Sequence, residues 1–195
     1  MMRNESDRYG AVAMTLHWLI AALVLMNVGL GLYFVDLPQD LPIKPLFTQT
    51  HKSIGLTVLM LSLVRLGWRL LNPPPPLPPE VGPITRIASK IVHWIFYFLL
   101  IAIPLAGWSI VSVSPLGIPT QYFWQFVWPH IGFLNALSMD ERRALLPVFV
   151  NTHNMLAFLA VGLIVLHVAA ALYHHFIRKD SVLRRMLPWA SANEG

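Results

Sequence analysis

Four stretches of this chain are apolar for about 20 residues or more, the length of helix that crosses the hydrocarbon core of a bilayer. They cover roughly residues 12–35, 51–71, 91–113 and 148–177. The expected fold class follows from them: an all-α, integral membrane four-helix bundle, with residues 1–195 forming a single transmembrane domain. Composition agrees. The chain is 56% hydrophobic and only 12% charged, well away from an ordinary soluble domain. Pro104 lies inside the third stretch and is expected to kink its helix, the freed carbonyl being satisfied by neighbouring helices.

The connections differ in character. "NPPPPLPPEVGP", residues 72–83, cannot be helix interior and reads as a stiff, polyproline-like linker. Residues 114–147 form a longer loop. Within it "SMDERRALL" predicts a short helix, capped by Ser138 with Glu141 three residues on, the spacing of a capping box. No internal repeat is visible and no long disordered tail is expected. The N-terminal "MMRNESDRYG" is polar and does not read as a signal peptide.

Orientation is set by lysine and arginine. Arg3, Arg8, Arg65, Arg69, Arg86, Lys90, Arg178, Lys179, Arg184 and Arg185 fall on one side; Lys44, Lys52, Arg142 and Arg143 fall on the other. The richer side is expected to be cytoplasmic. Both termini and the 72–83 linker then face inward, and the 114–147 loop faces the periplasm of a bacterial inner membrane. The net charge of +5 is read as this topology and not as a nucleic-acid-binding signal.

Titratable side chains are costly inside a bilayer and mark function there, and the fourth stretch contains several. His153 and His167 stand 14 residues apart. On a helix that is about 40° short of four turns and about 21 Å of rise, so the rings share a face at opposite depths. His51 opens the second stretch at the depth of His153. His17 lies a little way into the first, at the depth of His167. Two pairs result: His51 with His153 near the outer end, and His17 with His167 near the inner end.

The chain has no cysteine, which excludes disulfides, cysteine-ligated iron–sulfur clusters and thioether-attached haem. Imidazole suits zinc and copper as well as iron, but those ions usually take three or four ligands and each depth offers two. Paired imidazoles on facing helices fit b-type haem with two axial histidines. Small residues about one turn away are expected to line the gap: Ala13 and Ala21 about His17, Gly55 after His51, Ala157 after His153 and Ala171 after His167.

Further residues are placed by the same geometry. His93, at the inner end of the third stretch, is a rival ligand for the inner site or a neighbour of it. His174, seven residues past His167, is a candidate for contact with a haem propionate or a quinone headgroup. His175 points elsewhere and reads as interfacial, and His130 as structural. Arg65, 14 residues after His51, and Arg69, one turn on, are propionate candidates, because arginine pairs with carboxylates bidentately. The outer Lys44, Lys52, Arg142 and Arg143 are weaker candidates for propionates or for attracting a small anion.

Four segments carry a family resemblance: "LHWLIAALV", "HKSIGLTVLMLSLVRLGWRL" with "PPPPLP", "HWIFYFLLIAIPLAGW", and "THNMLAFLAVGLIVLHVAAALYHHF" with its terminal "LRRMLP". They resemble the bacterial di-haem cytochrome b561 family over nearly the whole chain. The resemblance implies four transmembrane helices holding two b-type haems. It carries the axial ligands onto His17 with His167 and onto His51 with His153, and places a histidine at His93 without making it a ligand. It also implies a function: electrons taken from periplasmic superoxide and passed to membrane ubiquinone, as in superoxide oxidases. Related cytochromes imply an alternative, an electron-relay and anchor subunit for a partner dehydrogenase or hydrogenase. The tryptophan-rich "QYFWQFVWPHIGF" departs from the family pattern and leaves the outer substrate open. A histidine-using metal transporter or proton channel is disfavoured, since no acidic residue lies in the core of any apolar stretch.

Overall fold

The computed structural model describes residues 1–5, 7–78 and 81–188. Linker positions 79–80 and tail residues 189–195, on which part of the tail expectation falls, lie outside the described residues. Four long helices dominate: α1 (Ala11–Val35), α2 (Lys44–Leu71), α3 (Pro83–Val113) and α5 (Met139–Tyr173). A two-stranded antiparallel ribbon, β1 (Thr120–Tyr122) with β2 (Phe126–Trp128), and the short α4 (Gly132–Asn135) fill the loop between α3 and α5. All four long helices are long and apolar enough to cross a membrane, and the fold is an integral membrane four-helix bundle.

The helices extend beyond the apolar stretches. α2 begins seven residues before His51 and α3 eight residues before Ile91. The capped "SMDERRALL" segment is the first part of α5 and not a separate helix. Ser138 accepts from the Glu141 backbone N–H, while its own N–H donates to the Glu141 carboxylate at 2.9 Å. Pro147 does not end the helix, so α5 runs for 35 residues, about 52 Å at 1.5 Å per residue. It finishes in a π-helical turn at His174–Arg178, closed by Lys179 in the left-handed region (φ 55°).

Packing is uneven. α1 lies against α2, α2 against α3 and α3 against α5. The α1–α2 seam holds a tight apolar cluster of Ile20, Ile54 and Val58, with Leu23, Val24 and Leu100 around it. The backbone of α5, by contrast, packs extensively against α3 and makes little or no close approach to α1 and α2. Large apolar side chains such as Leu25, Leu63, Val64, Phe158 and Leu166 point outward, as a bilayer requires.

Both ends of the described chain meet at one end of the bundle. The Tyr9 N–H donates to the Arg185 carbonyl at 3.3 Å, and Arg8 donates to the carbonyls of Leu187 and Pro188. The indole of Trp18 donates to the Met186 carbonyl at 2.8 Å, and the Asn4 amide donates to Asn72 and Pro73 at the exit of α2.

Candidate functional site

The histidines fall into two groups at two levels of the bundle. At the loop end, the rings of His51 (α2) and His153 (α5) stand 6.2 Å apart, centre to centre. At the end carrying the termini, His167 (α5) lies 6.3 Å from His17 (α1) and 6.0 Å from His93 (α3). The depth argument therefore assembles the intended residues, and it leaves His167 with two neighbours.

Helix packing separates those neighbours. His17 faces His167 across α1 and α5, and His51 faces His153 across α2 and α5. Neither helix pair packs extensively. His93 faces His167 across α3 and α5, which pack directly. A flat macrocycle needs two helices held apart, so the room for one lies between α5 and the α1–α2 pair.

The spacing also suits one metal atom per pair. With metal–nitrogen bonds of about 2.0–2.1 Å and about 1.1 Å from nitrogen to ring centre, two imidazoles on one metal have centres roughly 6.3 Å apart. The donor set points the same way. Among the described residues, no three His, Cys, Asp or Glu side chains converge as a metal site, whereas two axial nitrogens are what a haem iron takes from a protein of this kind. The residues present fit the group.

The loop-end rings are oriented from behind. His51 Nδ1 bonds the Asn27 carbonyl of α1, and His153 Nδ1 bonds the Ile103 carbonyl of α3, each at 3.0 Å. A proton on Nδ1 leaves Nε2 as the free, basic nitrogen, the arrangement that fixes a ligating imidazole. Two glycines make room. A Cβ on Gly31 would lie 3.0 Å from the His51 ring, and one on Gly107 would lie 3.3 Å from the His153 ring. Of the small residues named from the sequence, Gly55 instead faces Asn27. The sequence carried no sign of Gly31, Gly107, Asn27 or Ile103. Two of them act through backbone oxygens, and the glycines through a close approach of helices.

At the termini-bearing end, Arg65 donates to the Tyr97 hydroxyl at 3.3 Å, and it is close enough to act electrostatically on His17, His93 and His167. Arg69 lies over the rings of Tyr97 and Trp94, at 5.5 and 5.9 Å, a cation–π arrangement. Two residues missed in the sequence complete the cluster. Arg185 is buried, donates to the Asp7 carbonyl, and has a second guanidinium nitrogen with no partner. Burial raises the Tyr9 phenol above its ordinary pKa, against the pull of Arg69, Arg185 and Arg65; Tyr9 therefore stays neutral. The end is thus rich in positive charge, and among the described residues no carboxylate forms an ion pair with Arg65, Arg69 or Arg185.

The remaining residues disperse. His93 Nδ1 bonds the Ser89 carbonyl at 2.6 Å. His174 bonds Asp180 at 2.5 Å through Nδ1 within the π-helical turn. His175 packs on Phe176, and His130 lies near Asn135. On the opposite end Lys44 is turned onto the Leu37 carbonyl and Arg142 onto the carbonyls of Val113 and Ser114. Arg143 pairs with Asp140 at 3.8 Å, and Lys52 is half-buried. A cleft of about 850 Å³ opens beside the first turns of α1, with Met14, Trp18 and Leu19 on its apolar side and Arg3, Arg8 and Tyr9 on its polar side.

Comparison with known proteins agrees with this architecture. Residues 8–189 match the model of the family described as prokaryotic cytochrome b561. Cytochrome b561 homolog 2 of Escherichia coli K12 is 35% identical, over 98% of this chain and 97% of its own. The probable superoxide oxidase CybB of Yersinia pestis is 28% identical, over 93% and 96%. Cytochrome b561 homolog 1 of Escherichia coli is 25% identical, over 93% and 98%. With four membrane-spanning helices, histidines facing one another at two levels and a family match along nearly its whole length, the chain belongs to the prokaryotic cytochrome b561 family of b-type haem proteins that carry electrons across membranes.

Proposed function

We propose that this protein is a di-haem cytochrome of the bacterial inner membrane, with both termini and the 72–83 linker cytoplasmic and the 114–147 loop periplasmic. In this reading it takes electrons from periplasmic superoxide and delivers them to membrane ubiquinone. One observation carries it: two imidazole pairs at two depths, each facing across helices that do not pack extensively. His17 with His167 and His51 with His153 are the axial ligands. Held by these four imidazoles, b-type haem would supply one-electron redox chemistry at both levels.

The chain's own residues do the rest. Asn27 and Ile103 hold the outer imidazoles in the ligating tautomer through their carbonyls. Arg65 and Arg69 offset the negative charge of propionates at the inner site and, with Tyr97, fix its edge. At the outer end Lys52, with Arg143 beside its Asp140 partner, would supply positive charge that draws in a small anion such as superoxide. At the inner interface His174 pairs with Asp180 through Nδ1; in its imidazolium form it also carries an Nε2–H that can donate to a quinone carbonyl, and the cleft beside α1 offers an amphipathic headgroup an apolar wall and a polar end.

The name of the 28%-identical relative, a probable superoxide oxidase, supports the donor. The 35%-identical relative bears a cytochrome name that specifies no donor; the second reading is an electron-relay or anchor subunit for a partner dehydrogenase or hydrogenase. The test has two parts. A pyridine haemochrome assay on purified protein is expected to return two b-type haems per chain; one or none refutes the ligand assignment. Superoxide-driven ubiquinone reduction by the isolated protein in liposomes is expected to be fast. Its absence, together with a stable co-purifying dehydrogenase, selects the second reading.

A further inference from the structure

α2 carries a stripe that no function described so far uses. Gln49, Ser53, Thr57, Met60 and Val64 fall within an arc of about 80° at 100° per residue. His51 lies about 200° from Gln49 and from Ser53, toward the opposite side of the helix. The inner part of the stripe, Met60 and Val64, is apolar and exposed, as a lipid-facing surface must be. The outer part is polar. Ser53 and Thr57 lie about 3 Å and about 9 Å past His51 along the axis, so this polar patch runs down from the membrane boundary on the side that would otherwise meet lipid.

The β1–β2 ribbon covers that patch. The Gln121 N–H donates to the Gln49 side chain at 3.0 Å, and the Gln49 amide donates to the Pro119 carbonyl at 2.9 Å. Ser53, fully buried, donates to the Gln121 carbonyl and accepts from the Phe123 N–H at 2.9 Å. Thr57 bonds the Tyr122 hydroxyl at 3.0 Å. From α3, Trp108 donates to the Pro129 carbonyl, and its ring packs on Trp128. The backbone groups of Gln121 and Phe123 are thus matched to α2, as non-helical backbone at membrane depth requires, while Thr120 Oγ1 and Trp128 Nε1 are buried without a partner. Phe123 and Trp124 at the ribbon's tip are exposed, as are Val127 on the face away from Tyr122 and Phe126 beside Tyr122 on the other face. These side chains continue the apolar surface of Met60 and Val64.

The turn supports the same direction. The Gln125 N–H donates to the Tyr122 carbonyl at 2.9 Å, with Phe123 and Trp124 between them at φ 44° and 59°. The connection between the strands is three residues long, 123–125, and a β-turn with both central residues in the left-handed region favours Asn and Gly. Bulky aromatics accept backbone strain at such positions, and what they add is apolar aromatic surface at the tip. Aromatic residues gather at membrane–water boundaries.

We infer that the β1–β2 ribbon is a membrane-embedded flap: it seats on the polar outer half of the α2 stripe and presents Phe123, Trp124, Phe126 and Val127 to the lipids of the outer leaflet. The inference does not depend on the haem assignment. Because the chain has no cysteine, Trp124→Cys and Phe126→Cys each give a single site for a nitroxide label in the full, haem-carrying protein reconstituted in phospholipid nanodiscs. Oxygen is expected to relax both labels more than the aqueous reagent NiEDDA, as at Met60→Cys on the lipid-facing helix surface, whereas Asp140→Cys is expected to show the reverse order. NiEDDA dominating at positions 124 and 126 would place the flap in water and overturn the inference. Spin–spin broadening between labels of two copies would make the patch a dimer interface and overturn it equally.

Discussion

The ligand geometry depends on residues that offer no ligand. Gly31 approaches the His51 ring closely enough that a methyl group would stand 3.0 Å from it, while Gly29, two residues earlier, has nothing within 4 Å. Gly31→Ala is expected to push His51 off its position and to lower the retention of one of two haems, read from the absorbance per chain after purification. Gly29→Ala is expected to leave both in place. Equal haem content in the two variants would show that α1 yields by a few tenths of an ångström without disturbing the ring. A second substitution tests the inner pairing. His93→Ala is expected to keep both haems, because His93 faces His167 across the packed α3–α5 seam and not across a gap. Loss of one haem would make His93 the ligand in place of His17. Sequence alone brought these residues to one depth, since helical rise and period are fixed by backbone geometry. It paired His17 with His167 and kept His93 as a rival, and which helices touch is the observation that sets the two apart.

Among the elements, the ribbon was the least legible. Its sequence, "QYFWQF", lacks the Asn-Gly or Asp-Gly that announces a two-residue hairpin, and Phe123 and Trp124 hold the turn by virtue of what Gln49, Ser53 and Thr57 offer from α2. A residue of that kind in the left-handed region costs about 1–3 kcal/mol. Trp124→Gly, which removes the Cβ penalty, is expected to raise thermal stability in detergent and to weaken association with lipid. An unchanged or lower melting temperature in detergent would mean that Trp124 contributes more by packing than it costs by strain. The start of α5 was legible, by contrast, because a capping box is a local pattern of side chains three residues apart. Its fusion with the following span was not. Pro147 ordinarily signals a break, and here the helix runs through it.

The whole molecule is two unequal parts joined at one seam. α1, α2 and α3 pack in succession, with the Ile20–Ile54–Val58 cluster between the first two. α5 joins them through α3, while His153 and His167 reach toward α1 and α2 across open separations. Whatever fills those separations when haem is bound adds contacts that bind only the folded bundle, and ligands of that kind stabilise by linkage. Stability should therefore be distributed unevenly when haem is withheld. In protein expressed without haem, amides in the middle of α5, around Ala157–Leu163, are expected to exchange with deuterium faster than in the haem-loaded protein. Amides of α2 around Ile54–Leu61 are expected to change far less. Hydrogen exchange in detergent, resolved by mass spectrometry, reads both segments in one experiment. If the two segments lost protection equally, the bundle would be a single cooperative unit, and the gap between α5 and the α1–α2 pair would be no weaker than the packed seams. If α5 kept its protection, the α3–α5 seam would suffice to hold it, and the histidines would face each other across a frame already rigid before haem arrives.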